Sequence, residues 1–142
     1  MDPEEFLKLG EELVERRSPS CCRSAISRSY YGVFNGTAAI MRTAGLPVSE
    51  GSSEHGKIWQ DLLNSGIGIL ATAGSQLGEL HGMRIKADYR MANQITEGHQ
   101  TAKLWVTEAR AHFDAIKQVF DDPAQRAAAI QAIRAYRAKI GR

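Results

Sequence analysis

Four prolines punctuate this chain, and their placement constrains what it can fold into. Asp2-Pro3, Ser18-Pro19 and Asp122-Pro123 each set a side-chain acceptor directly before a proline. That is a helix start signal. The acceptor satisfies a free N–H of the first turn, and proline is tolerated there because it has no N–H to leave unpaired. Glu5 and Gln125 stand three residues after the acceptors Asp2 and Asp122, in the capping-box position. The fourth proline, Pro47, follows Gly45-Leu46 and stops a helix. Strand signals are nearly absent.

Apolar residues recur with helical spacing between these marks. A first helix from Pro3 buries Phe6, Leu9 and Leu13. A second, from about Ser20 to Thr43, sets Ile26, Tyr30, Val33, Thr37 and Met41 on one face. A short third carries Ile58, Trp59, Leu62 and Leu63, and Asn64-Ser65-Gly66 ends it. A fourth runs from about Thr72 to Met91. A fifth, from about Thr96, shows Ala102, Trp105, Ala109, Phe113, Ile116 and Phe120. Short connections predict antiparallel neighbours. The expected fold is all-α: an up-and-down bundle of four to five helices over 1–120, plus a C-terminal helix over 121–142. That last helix carries Arg126, Arg134, Arg137, Lys139 and Arg142, and is expected to pack on the bundle or contact a partner.

A chain of 142 residues with 43% apolar content has material for one sizeable core. Its net charge of +2 is milder than a dedicated nucleic-acid binder usually shows. Cys21 and Cys22 are adjacent, which disfavours a bridge between them and suggests a reducing compartment. MDPEEFLKLGEE is acidic and amphipathic rather than leader-like, and no apolar run approaches the roughly 20 residues of a membrane span. The expectation is a cytoplasmic protein with no membrane contact.

Several motifs can be set aside. GIGILATAG at 66–74 resembles part of a dinucleotide fingerprint, but no strand precedes it and its third glycine is misplaced. His55, His81, His99 and His112 form no HxxxH or HxxH pair, and two thiols cannot close a zinc site. No metal and no cofactor is expected.

The residue that stands out is Arg84. Leu77, Leu80, Ala87 and Met91 form an apolar seam in steps of three, seven and four, and Arg84 occupies the missing position. A guanidinium cannot shed its charge to enter a core. Its stem can pack along the seam while Asp88, four residues on, pairs with its head. Otherwise a buried Arg84 needs an anionic ligand such as phosphate. His81, Arg84 and Asp88 share one helical face. Nearby in sequence pattern, Tyr30 and Tyr31 point about 100° apart on their helix, so one faces the core while the other faces a neighbour or groove. Arg28 lies three positions before Tyr31.

Arg28-Ser29-Tyr30-Tyr31-Gly32-Val33-Phe34, then Glu54-His55-Gly56-Lys57, then Arg84-Ile85-Lys86-Ala87-Asp88-Tyr89, in that order, resemble the HEPN family of small helical domains. The resemblance spans roughly residues 4–120, and the small stand-alone prokaryotic members are the nearest subgroup. It implies a four- or five-helix bundle that pairs into a homodimer. Many members are metal-independent ribonucleases of toxin–antitoxin or phage-defence systems. Others bind a nucleotide or a partner, often a nucleotidyltransferase. Further partners implied here are therefore RNA, a nucleotide, or a nucleotidyltransferase or other defence-system protein.

Arg84 matches the arginine of the family's motif, but the histidine expected four to six residues later is missing: positions 88, 89 and 90 are Asp, Tyr and Arg. Histidine exchanges protons near neutral pH, whereas tyrosine ordinarily does so near 10. Tyr89 is thus suited to hydrogen-bonding a phosphate or stacking on a base. His81, one turn before Arg84, and His55 are the replacement candidates for proton transfer. Two functional expectations follow from the resemblance. One is a binding module whose ligand contacts are Arg84, Asp88, Tyr89, Arg28, Tyr31 and His55. The other is a ribonuclease with a non-standard site built on Arg84, with His81 and Tyr89 as candidate catalytic partners.

Overall fold

The computed structural model describes residues 1–51, 53 and 55–142; Ser52, and Glu54 of the EHG stretch, lie outside the described residues. Among the described residues the fold is all-α, with no strand. The helices are α1 (Glu4–Val14), α2 (Pro19–Thr43), α3 (His55–Leu63), α4 (Gly68–Tyr89), α5 (His99–Asp121) and α6 (Pro123–Lys139), with a 3-10 turn at Ile95–Glu97.

The start signals of α2 and α6 work as expected, whereas α1 begins one residue later than its signal, at Glu4, with Pro3 in the N-cap position. Asp2 Oδ1 accepts from the Glu4 N–H at 3.0 Å, Ser18 Oγ from Cys21 at 3.3 Å and Asp122 Oδ2 from Gln125 at 2.8 Å. Pro19 and Pro123 occupy first helical positions. After α2 the chain turns through Gly45, whose φ of +80° lies in the left-handed region that glycine enters without strain.

α2 is the central element and packs against α1, α3, α4 and α5. Gly10 meets Ser29 and Gly32 meets Leu7, so α1 and α2 run antiparallel. The Ser27–Asp88 and Tyr30–His81 contacts set α4 antiparallel to α2 as well. The core face of α2 is the predicted one: Ile26, Tyr30, Val33, Thr37 and Met41 are all buried.

Three details of the expected fold need correction. α1 buries Leu7, Gly10 and Val14, while Phe6 and Leu13 are half-buried and Leu9 is exposed. The reason is the close crossing with α2. A Cβ on Gly10 would lie 2.4 Å from Ser29 Oγ, and one on Gly32 would lie 2.9 Å from the Leu7 backbone nitrogen. Glycines thus set the contact stripe, and a reading weighted by apolar side chains passes over them. α4 ends at Tyr89, leaving Met91 65% exposed and outside the seam. There Arg23, itself buried, donates to the carbonyls of Lys86, Ala87, Arg90, Met91 and Asn93 and pairs with Glu97 at 2.9 Å. Its five-donor fork satisfies carbonyls that the helix end leaves free. On α3 and α5, Leu63 is exposed and Trp105 half-buried, and Val106 fills the core instead.

α6 packs on α5 and α3. Its basic residues are not simply solvated. Asp61 of α3 is 0% exposed and receives Arg137 at 2.7 Å and Arg142 at 3.0 Å. Arg137 also donates to the Pro47 carbonyl, and Arg126 to that of Thr43.

Candidate functional site

Where α2, α3 and α4 meet, the seam of α4 carries Arg84 inward. The residue is only 8% exposed. Its guanidinium carbon lies 5.3 Å from the ring centres of both Tyr30 and Tyr31, and 5.9 Å from that of Tyr89. Rings at this range attract a cation through their negative faces. The charge is otherwise poorly matched. Asp88 is the one carboxylate paired with it among the described residues, at 3.8 Å, beyond hydrogen-bond range. Asp88 Oδ2 instead accepts from Ser27 Oγ at 3.0 Å. Arg84 Nε is buried with no acceptor. A buried charge with unsatisfied donors is costly unless something pairs with it.

α3 brings two histidines into contact through the same rings. His55 opens α3 and stacks on Phe34 with ring centres 4.1 Å apart and planes 5° from parallel. Its Nδ1 shares a short hydrogen bond with the hydroxyl of Tyr30. His81 of α4 lies 5.2 Å from Tyr30, 5.7 Å from His55 and 4.8 Å from Trp59, ring centre to ring centre. The approach of α3 to α4 depends on Gly74, where a Cβ would stand 2.7 Å from both Leu63 N and Trp59 O.

Burial, helped by the Arg84 charge, holds His55 below the ordinary histidine range. The same two causes act on His81, with His55 adding to them. Both imidazoles are therefore neutral at pH 7. Burial pushes the Tyr30 phenol well above its ordinary value against the pull of Arg84, so the hydroxyl keeps its proton.

The structure thus gathers Arg84, Asp88, Tyr31, Tyr89, His81 and His55 in one place. Tyr89 is 68% exposed at the rim. Arg28 stands at the edge, its guanidinium 5.2 Å from the Tyr31 ring and 5.1 Å from Phe6. No carboxylate pairs with Arg28 among the described residues, so two arginines flank Tyr31 while a single carboxylate offsets them. Sequence reasoning missed Tyr30 as the partner of His55, Ser27 as the partner of Asp88, the stacking of Phe34 on His55 and the tilted contact of Trp59 with His81. The i,i+4 spacing of Tyr30 and Phe34 is visible in the sequence; the arrival of α3 against them is not. Among the described residues no group of three or more His, Cys, Asp or Glu side chains is placed to hold a metal ion. No helix among them is long and apolar enough to cross a membrane.

Compared with family models, curated proteins and solved structures, the chain matches none.

Proposed function

We propose that this chain is a HEPN-like helical module, acting as a homodimer, that receives a phosphate group of RNA or a nucleotide at Arg84. The system it serves is of the toxin–antitoxin or phage-defence type, with a nucleotidyltransferase or other defence protein as a further partner. The observation that carries the phosphate reading is the state of Arg84: a buried, permanently charged side chain whose nearest carboxylate is 3.8 Å away and whose Nε has no acceptor. A phosphate oxygen supplies the acceptors that the protein withholds, in the geometry a guanidinium fork prefers. Arg28 adds positive charge at the edge, and the exposed Tyr89 ring is available to stack on a base.

The experiment is binding of single-stranded RNA and of ATP to the purified chain in EDTA, beside Arg84→Met, with folding checked by circular dichroism. Binding that disappears in the folded variant supports the reading. Equal binding by both proteins refutes it.

A metal-independent ribonuclease is the second reading, favoured by His81, a neutral imidazole in contact with the same aromatic cluster. In it, His81 takes the proton of a 2′-hydroxyl. The freed oxygen attacks phosphorus, Arg84 stabilises the charge of the phosphorane, and the bond to the 5′-oxygen breaks, leaving a 2′,3′-cyclic phosphate and a 5′-hydroxyl that takes its proton from water. Cleavage in EDTA that is lost in both His81→Gln and Arg84→Met marks the chain as an enzyme. Cleavage surviving both substitutions sinks this reading.

A further inference from the structure

We propose that Tyr30 fixes His55 as the Nε2–H tautomer and so makes it a neutral hydrogen-bond donor for the phosphate that Arg84 receives. The ligand part of this inference rests on the function proposed above; the tautomer part does not.

The geometry points to one tautomer. Tyr30 is 0% exposed, and its hydroxyl has a single partner among the described residues, His55 Nδ1. Suppose Nδ1 carried the imidazole proton. The phenolic oxygen would then accept, and its own hydrogen would be buried without an acceptor among the described residues, which is costly. With Nδ1 bare, the O–H donates to it and both groups are satisfied. The neutral ring's remaining proton then sits on Nε2, because a hydrogen bond at one nitrogen sets the state of the other. Nε2 makes no hydrogen bond among the described residues, so this donor is unspent. Phe34, stacked 4.1 Å away and 5° from parallel, holds the ring plane.

The two histidines therefore differ in role. His55 has its lone pair occupied by Tyr30 and offers an N–H. His81 makes no hydrogen bond to Tyr30 and touches the cluster through its ring alone. Under either functional reading, His55 holds the anion, and any proton transfer falls to His81. Tyr30 acts on the ligand only through His55 and is a positioning residue.

Long-range 1H–15N correlation NMR of the histidine rings in the full chain at neutral pH reads the tautomer directly, with His55 assigned by its loss in His55→Gln. The expected result is a pyridine-type Nδ1 and a pyrrole-type Nε2 for His55, giving way to averaged signals in Tyr30→Phe. A pyrrole-type Nδ1 in the wild type overturns the proposal, as does an unchanged tautomer in Tyr30→Phe. The wild-type spectrum decides the first point even if the variant fails to fold.

Binding of a single-stranded RNA oligonucleotide tests the consequence. Tyr30→Phe and His55→Asn should each weaken it about tenfold or more, the loss of one hydrogen bond to a charged group. His55→Gln, whose amide N–H stands near where Nε2 stands, should retain it. Equal losses in Asn and Gln variants overturn the donor role. If the locked tautomer is found but wild type binds no RNA, the proposed function fails while Tyr30 keeps its positioning role.

Discussion

Arg84 is held by three tyrosine rings and one distant carboxylate, and this predicts an unusual stability profile. Breaking a well-formed buried ion pair costs about 3–5 kcal/mol, whereas replacing a poorly compensated one by an apolar side chain is often neutral or stabilising by about 1–4 kcal/mol. Arg84→Met keeps the stem in the seam and removes the charge. Its unfolding free energy, measured by urea denaturation, should stay within about 1 kcal/mol of wild type or exceed it. A loss of about 3–5 kcal/mol would mean that the arginine serves the fold.

At the scale of elements, the site depends on how helices end and cross. Arg23 caps the carbonyls at the end of α4, those of Lys86 and Ala87 between Arg84 and Asp88 and that of Arg90 just past them. Arg23→Met should cost about 3–5 kcal/mol, because it strands Glu97 and the carbonyls of the α4 end, that of Ala87 buried, together. It should also speed hydrogen exchange at 86–93 before the rest of the chain. Gly74→Ala forces a Cβ against α3 backbone atoms at 2.7 Å and should cost about 1–3 kcal/mol, with altered ring contacts at Trp59 and His81 in NMR spectra. Asp61→Asn leaves Arg137 and Arg142 facing a neutral group in a buried place. α6 should then exchange its amides faster than α2, whereas unchanged exchange would show the clamp to be dispensable.

For the whole molecule, the neutral histidines tie stability to pH. His55 and His81 have folded pKa values below the unfolded value near 6.5. The unfolded chain therefore takes up protons that the folded site refuses. Stability is at its full value above about pH 6.5 and falls as pH drops from there through the folded pKa values. Thermal midpoints measured between pH 8 and about pH 5 should decline over the acidic half of that range. The decline should flatten in a His55→Gln, His81→Gln double variant; an identical slope would place its origin elsewhere. An anion placed beside the two rings would oppose this trend, since a nearby negative charge favours the protonated imidazole.

The starts of α2 and α6, the core face of α2 and the all-α class were legible in the sequence because caps, prolines and 3.6-residue periodicity are local, whereas α4 begins at Gly68, ahead of the expected Thr72, where no side chain caps it. A capping oxygen meets an N–H three residues away, whatever the rest of the chain does. Arg84 was legible as well, as a charge interrupting an apolar rhythm. The contact stripe of α1 was not, because it is set by Gly10 and Gly32, whose importance lies in what they leave out. The end of α4 was not, because Arg23 reaches it from more than sixty positions away. Nor was the pairing of Tyr30 with His55, or of Asp61 with Arg137 and Arg142. The sequence by itself determined which segments coil and which face of α2 is apolar, since those depend on neighbours along the chain. The tertiary structure decided how Arg84 is left without an acceptor and which nitrogen of His55 is occupied, since burial and pairing arise only when distant helices meet.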